Sequence, residues 1–294
     1  MKRSIMDEVG VLLLRHGYTV RSLKGSSFDI VARKDVHVLL VKVLKDANSI
    51  SGDYAQSMLN LSSYIGASPV IVAEKASHVL EDGVVYSRFG VYSFNYNTFR
   101  SCLENSFPIV VSSRAGFTAS VSGEKLRRER EAGGFSLGAL SRKVGVSRRM
   151  IAKYESNAAD VSFRSALALN RIFGSGIFNK VDVFGAVKGA FAGQQSEIAR
   201  KYGELGFRAS DMKKVPFDVV ARLQKELILT EVSPRSANPN LVPIQHLLGA
   251  DALVILDGKS DSDKAKKKLP SLQKIDFLDM KSAQELIRFL REFD

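Results

Sequence analysis

Apolar residues follow strand-like spacing at both ends of the chain and helical spacing in the middle. The runs VHVLLVKVLK (36–45) and KELILTEVSP (225–234) are dense in β-branched and aliphatic residues, as buried strands are. Between them, Leu137, Leu140 and Val144 recur at helical spacing, and Ile151 and Tyr154 resume it after an interruption. The pattern predicts two sheet-containing regions separated by a helical region.

The two sheet-containing regions repeat one another. SSFDIVARKD at 26–35 recurs as VPFDVVARLQ at 215–224; upstream, GYTVRSLKGSSFD matches GFRASDMKKVPFD. After a six-residue deletion IGASPVIVA matches LGADALVIL, and VYSFNYNTF near Val91 then matches IDFLDMKSAQEL near Ile275, each taken as a strand leading into a helix. We infer an internal duplication. Each copy should contain a helix, three strands, a short helix, two strands and a helix, which implies a central sheet covered by helices.

The helical region carries the local signals of a helix-turn-helix. Ser136 and Ser147 are natural N-caps for two short helices. Gly145, four residues after Ser141, supplies the backbone freedom for a tight turn between them. This is the geometry of a helix-turn-helix motif. The flanking helices are expected to close a small core with Leu126, Leu167, Leu169, Ile172 and Phe173.

Charge narrows the class of partner. The chain has 294 residues, 45% of them hydrophobic and 25% charged, which is typical of a folded protein of two or three domains. Its formal charge is +12. Residues 123–175 hold eleven Lys or Arg and five Asp or Glu, so they contribute +6 of that excess. Such an excess attracts nucleic acid or an anionic membrane.

Neither a membrane segment nor a disulfide is expected. No stretch approaches the roughly 18 apolar residues of a membrane helix, and the apolar run at residues 9–14 is too short for a signal peptide. The single cysteine, Cys102, cannot form an internal disulfide and is expected to be a small buried hydrophobe. We therefore expect a cytoplasmic protein without a membrane partner.

The central sequence resembles a known class of DNA-binding domain. SLGALSRKVGVSRRMIAKYES followed by SFRSALALNRIFG is similar to the helix-turn-helix domain of Cro and the phage repressors. The resemblance implies that the second motif helix enters the major groove of double-stranded DNA with its first residues at the base edges. The DNA-binding residues carried over are Ser136, Ser147, Arg148, Arg149 and Lys153.

Two other interpretations of the central region stay open. Arg148 and Arg149 could form an ordinary solvated charged face, or the helical domain could be an adaptor that binds another protein. Adjacent arginines at an exposed helix start can present bidentate donors to guanine or to phosphate, which favours DNA.

The duplicated unit resembles the restriction-endonuclease-like fold, including archaeal Holliday-junction resolvases. In that fold two strand carboxylates, often with a Glu from the first helix, hold Mg²⁺, and a Lys stabilises charge at the phosphate. The first copy offers Glu8 and Asp29, but Lys42 stands in place of the expected Glu and Leu44 in place of the expected Lys. An ammonium at a ligand position argues against a metal site there.

The second copy keeps more of the metal-binding residues of that fold. Glu197, Asp218 and Glu231 are its catalytic candidates, while Ser233 replaces the Lys. The plainer interpretation is that these carboxylates cap a turn or face solvent. We expect the two copies to be degenerate, non-enzymatic scaffold or dimerisation modules that use no metal or other cofactor.

The remaining segments supply boundaries rather than chemistry. The four histidines show no metal-ligand spacing. DSDKAKKK at 261–268 is expected to be a solvated turn, with contact to the DNA backbone as an alternative. A hairpin is predicted around Arg114, Ala115 and Gly116. The predicted division is an α/β nuclease-like domain at 1–107, a hairpin linker at 108–122, the all-α helix-turn-helix domain at 123–175, a linker at 176–190 and a second α/β domain at 191–294.

The whole order resembles an archaeal family of helix-turn-helix transcriptional regulatory proteins. The resemblance implies sequence-specific binding of double-stranded DNA and control of transcription, with the transcription machinery as a further partner. A single helix-turn-helix domain gains sequence specificity when it pairs with a second one across a two-fold axis. We therefore expect a homodimer on a palindromic site. A metal-dependent nuclease that uses the second copy, and a protein-binding adaptor, remain the alternatives.

Overall fold

The chain folds into two α/β units with a helical unit between them in sequence. The structure is a computed structural model that describes residues 4–23, 25–113, 116–185, 187, 196–233, 238–257 and 269–293. The predicted fold class, two related α/β regions flanking a helix-turn-helix, is confirmed.

The first copy begins with a helix whose start is set by its sequence. Ser4 and Asp7 form a reciprocal capping box, and Val9, Leu12 and Leu13 bury one face of that helix. The elements of the copy are α1 Ile5–Arg15, β1 Thr19–Ser22, β2 Ile30–Lys34, β3 His37–Asp46, α2 Gly52–Ile65, β4 Ala67–Ala76, β5 His78–Val79, β6 Val84–Arg88, β7 Val91–Phe94 and α3 Tyr96–Leu103.

The second copy repeats the first helix, the three strands, the crossover helix and the fourth strand of the first copy in the same order and strand register. Its elements are α8 Glu197–Glu204, β11 Arg208–Asp211, β12 Val219–Leu223, β13 Glu226–Ser233, α9 Leu241–Leu248, β14 Asp251–Leu256, β15 Ser271–Gln273, α10 Lys274–Asp279 and α11 Ala283–Arg291. Ile30 pairs with Val41 in the first sheet, and Val219 pairs with Thr230 at the equivalent position in the second. In both sheets the third strand then pairs in parallel with the fourth. The duplication is therefore visible in three dimensions.

The end of the repeat differs from the sequence alignment. Ile275 was expected in a strand, but it lies in α10, and the strand is β15. Ser271 pairs with the fourth strand of the second sheet at the position where Ser93 pairs with the fourth strand of the first sheet. Ser271, and not a residue near Ile275, is therefore the equivalent of Ser93. The expectation was wrong because the three-residue strand β15 is too short to show a period. In the first copy β5 and β6 lie between the fourth strand and β7. The DSDKAKKK segment, which was predicted to be a solvated turn, lies outside the described residues.

The six-residue deletion falls within one helix. α2 has 14 residues and α9 has 8, while the strands on either side keep their register. Both helices end at a glycine in the left-handed region, Gly66 with φ of 69° and Gly249 with φ of 63°. The strand register on both sides of the crossover is thus preserved, and the crossover helix itself is shorter in the second copy.

The helical unit is fused to the sheet of the first copy. Its elements are β8 Val110–Ser113, β9 Gly116–Ala119, α4 Gly123–Ala132, α5 Leu137–Val144, α6 Arg148–Glu155, β10 Val161–Ser162 and α7 Phe163–Phe173. β8 pairs in parallel with β6, and β9 and β10 follow, so ten strands form one continuous sheet. The helix-turn-helix is therefore held by backbone hydrogen bonds as well as by its connections.

The core of the helical unit is built largely as its sequence predicts. Leu126, Leu140, Ile151, Tyr154 and Leu169 are all buried there. Leu167 was also expected in this core, but its side chain is 43% exposed. The reason is its place on α7: the buried residues Ala166 and Leu169 lie on the face that packs on the core, and Leu167 lies off that face.

The segment after α7 runs back along the hairpin. Phe178 bridges Val121, and Val181 N–H donates to the Pro108 carbonyl at 2.8 Å. Val183 then enters the core of the first copy. The described part of the predicted second linker thus packs on the hairpin and on the first copy.

The two copies share one hydrophobic core. Phe28 and Phe217, the phenylalanines of the repeated motif, are both buried in a cluster that spans both copies. α9 contacts β1 and β2 of the first copy, and α2 contacts β12 of the second. The opposite face of each sheet packs on its own first helix. Each sheet therefore packs one face on helices of its own copy and the other face in the core shared with the other copy.

The repeated arginines join the copies symmetrically. Arg33 Nη1 donates to the Leu247 carbonyl at 3.0 Å, and Arg222 Nη1 donates to the Tyr64 carbonyl at 2.5 Å. Both acceptors lie in the last turn of a crossover helix of the other copy, where carbonyls lack intrahelical partners. The Phe and Arg of the repeated motif thus build a pseudo-two-fold interface.

Cys102 is buried and reduced. Burial raises the pKa of its thiol to about 12, so the residue behaves as the small hydrophobe that the sequence predicts. Across the described ranges, every helix is too short or too polar to cross a lipid bilayer.

Candidate nucleic-acid interface and the two carboxylate sites

The turn between α5 and α6 has the geometry that its sequence demands. Gly145 ends α5 with φ of 77°, in the left-handed region, and its N–H and that of Val146 both donate to the Ser141 carbonyl. Ser136 Oγ accepts from Ala139 N–H, and Ser147 Oγ accepts from Met150 N–H. Both predicted N-caps are therefore present, and α6 starts at a defined residue.

A buried ion pair ties α4 to the end of α6. Arg130 Nε and Nη2 contact the two Glu155 carboxylate oxygens at 2.5 and 3.1 Å, and Arg130 Nη1 donates to the Phe135 carbonyl at 3.0 Å. Gly123 packs so closely on α6 that an added Cβ would lie 2.1 Å from the Glu155 carbonyl oxygen. Together these contacts fix the position of α6 within its unit.

Four of the five predicted DNA-binding residues lie at the exposed starts of α5 and α6, and the fifth lies in the last turn of α6. Ser136 begins α5; Ser147, Arg148 and Arg149 begin α6, and Lys153 follows in its last turn. All five side chains are exposed. Within the described part of the chain, no carboxylate pairs with a cation of α6. The Arg148 guanidinium lies over Gly138, where an added Cβ would be 2.9 Å from Nε.

Two further cations extend this basic surface, and the sequence analysis did not single them out. Arg142 and Lys143 are exposed in the last turn of α5. Lys143 Nζ lies 5.5 Å from the centre of the Phe135 ring. The signal in the sequence was their position two and three residues before the turn glycine, Gly145.

The first carboxylate site is filled by a lysine. Lys42 Nζ lies 2.9 Å from Asp29 Oδ1, and it also donates to the Ser26 carbonyl at 3.1 Å. Asp29 Oδ2 accepts from Val43 N–H. Glu8 is exposed on α1. An ammonium in contact with the aspartate repels a cation, so these residues do not fit Mg²⁺.

The second carboxylate site holds a lysine from a different element. A cavity of 330 Å³ is lined by Glu197, Asp211, Asp218 and Lys274. Lys274 Nζ lies 3.2 Å from Glu197 Oε2 and 3.4 Å from Asp257 Oδ2. The Glu197 carboxylate raises the pKa of Lys274 by hydrogen bonding to its charged form. Lys274 was missed because its segment was aligned as a strand, whereas it begins α10.

The other two candidate ligands are bound to backbone groups. Asp218 Oδ2 accepts from Val232 N–H, as Asp29 does from Val43. Glu231 Oε2 accepts from Asn238 N–H at 2.6 Å. Burial, and then the charge of Asp218, raise the pKa of Glu231. No group of three or more Asp, Glu, His or Cys able to hold a metal occurs among the residues described. The donor set does not fit the Mg²⁺ that the fold implies.

Two family models match the chain. A PD-(D/E)XK superfamily domain matches residues 2–108, and a helix-turn-helix domain matches residues 126–177. The fold and the central site thus define a protein that joins a nuclease-type α/β domain to a helix-turn-helix. No solved structure matches the chain.

Relatives match over nearly the full length. A protein of Archaeoglobus fulgidus is 31% identical over 99% of this chain and 98% of its own length; one of Methanocaldococcus jannaschii is 30% identical over 99% and 97%. Both are provisionally named HTH-type transcriptional regulatory proteins. This chain belongs to that family, which confirms the resemblance seen in the sequence.

Proposed function

We propose that the protein is a sequence-specific regulator that reads double-stranded DNA with α6 in the major groove. The observation that carries the proposal is that Arg148 and Arg149 are exposed at a capped helix start and form no ion pair with any described carboxylate. Arginine forks in this position can bind guanine edges or phosphates. The matched helix-turn-helix domain and the names of the relatives support the same function.

The flanking copies act as a scaffold in this proposal. Lys42 pairs with Asp29 in the first copy and Lys274 pairs with Glu197 in the second, and the ten-stranded sheet holds the helix-turn-helix against the first copy. Two chains would pair to present two α6 helices to a palindromic site. Their centres would then lie about 34–36 Å apart, which is one turn of DNA.

Replacing Arg148 and Arg149 together with alanine is expected to lower affinity for the selected DNA site at least a hundredfold. Each bidentate base contact is worth about 1–3 kcal/mol of discrimination. The site should first be selected from genomic fragments and footprinted, with two half-sites one turn apart as the expected pattern. Fluorescence anisotropy at fixed salt then measures the loss.

The matched control is Arg127→Ala/Arg128→Ala. It removes the same charge from adjacent exposed arginines on α4, each paired with a glutamate of that helix. This variant should bind within a few-fold of the parent. Equal binding by all three proteins would disprove the recognition-helix assignment. Absence of DNA binding even at low salt, where phosphate contacts are strongest, would favour a protein-binding adaptor.

A nuclease is the second candidate, because Glu197 and Asp218 line one cavity. We expect no cleavage of duplex or branched DNA in Mg²⁺ or Mn²⁺, since Lys274 pairs with Glu197 and the described residues contain no group of three or more metal-binding side chains. Gel assays of the parent and of Asp218→Ala check this. Metal-dependent cleavage by the parent that Asp218→Ala abolishes would overturn the scaffold role.

A further inference from the structure

A second cavity lies where the first copy meets the helical unit. Its volume is 890 Å³, within the range of small-molecule sites in proteins. Its walls come from the end of α3, the segment before β8, the first turn of α4 and the loop after α7. None of the five predicted DNA-binding residues lines it.

The lining is cationic and rich in hydroxyl groups. Lys125 and Lys180 are both exposed at the cavity, and no carboxylate is among the described residues that line it. Lys125 Nζ donates to the Gly176 carbonyl at 3.3 Å, and Lys180 makes no ion pair within the described ranges. Ser101 and Ser106 add hydroxyls, and the half-buried Phe107 adds an apolar wall. Two ammonium groups and two hydroxyls in one cavity lining suit a phosphate, and the apolar wall suits an organic portion.

The cavity adjoins the contacts that position α6. Lys125 lies two residues after Gly123, which packs on the carbonyl of Glu155 at the end of α6. A ligand that bridges α3 and α4 would therefore contact both the scaffold and the helix that supports α6. A ligand that binds more tightly to one arrangement of the first copy and the helical unit than to another can alter the affinity of α6 for DNA.

We propose that this cavity is an effector site for a small phosphate-bearing molecule of about nucleotide size, which regulates the DNA binding proposed above. The probes are ADP, pyrophosphate and the uncharged adenosine, each titrated calorimetrically into the full chain. ADP and pyrophosphate should bind, and adenosine should bind at least tenfold more weakly than ADP. Lys125→Gln/Lys180→Gln should weaken ADP binding at least tenfold, because it removes two charge-assisted hydrogen-bond donors.

The matched control, Lys45→Gln/Lys75→Gln, removes two exposed lysines of the first copy and should bind ADP as the parent does. No binding of either phosphate probe, or equal loss in both variants, would overturn the site.

DNA titrations with and without ADP test the regulation. An unchanged DNA affinity at saturating ADP would overturn the effector role while leaving the DNA-binding proposal intact. Absence of DNA binding with and without ADP would overturn the proposed function instead, and calorimetry would still decide the site.

Discussion

Replacing Phe28 or Phe217 with alanine is expected to lower the free energy of unfolding by about 3–5 kcal/mol in each case. Both rings are almost fully buried, at 1% and 2% exposure, in the cluster that the two copies share. Each substitution leaves a cavity in the core that the two copies share, so either one should loosen both. Urea unfolding followed by circular dichroism measures the loss, and hydrogen exchange with mass spectrometry locates it.

The surface control is Phe293→Ala, since this ring is 46% exposed and lies outside the shared cluster. It should change the free energy of unfolding by no more than about 0.5 kcal/mol. If Phe28→Ala increased exchange in the first copy alone, with residues 241–256 as protected as in the parent, the shared-core interpretation would be refuted.

Arg130→Ala should destabilise the helix-turn-helix unit by about 3–5 kcal/mol. The change leaves the Glu155 carboxylate buried without its partner, since the two side chains are each only 11% exposed. The double variant Arg130→Met/Glu155→Met should recover most of the loss, because it removes both charges and keeps apolar volume. Hydrogen exchange within residues 126–169 measures the local stability.

The matched control is Arg127→Ala, three residues earlier on the same helix, where the ion pair with Glu131 is exposed. Exposed pairs contribute roughly 0–1 kcal/mol, so this variant should resemble the parent. A double variant as unstable as Arg130→Ala would show that the cost comes from lost packing or from the Phe135 carbonyl, and not from an unpaired carboxylate.

Much of the fold could be predicted because local signals agree with one another. The serine caps, Gly145 and the buried positions Leu140, Ile151 and Tyr154 all indicate the same two helices. The duplicated strands could be found because the motif repeats in an unbroken register. β15 could not be found in this way, since three residues are too few to show a period.

The sites depended on contacts that sequence spacing does not encode. Lys42 could be identified as a misfit because it stands at a ligand position of the motif. Lys274 could not, because it reaches Glu197 from an element 77 residues later in the chain. The role of Arg33 and Arg222 was equally hidden, since each bonds to a helix of the other copy. Long-range packing, rather than local propensity, decides these positions.

The arginine and phenylalanine contacts of the repeated motif join two copies that belong to one polypeptide. Two separate chains with the same interface would dissociate on dilution, whereas covalently linked partners meet at an effective concentration set by the connecting segment. The pairing of the two nuclease-like copies is therefore independent of how much protein the cell holds. Any concentration dependence in DNA binding would then report on the association of whole chains, with the paired scaffold constant throughout.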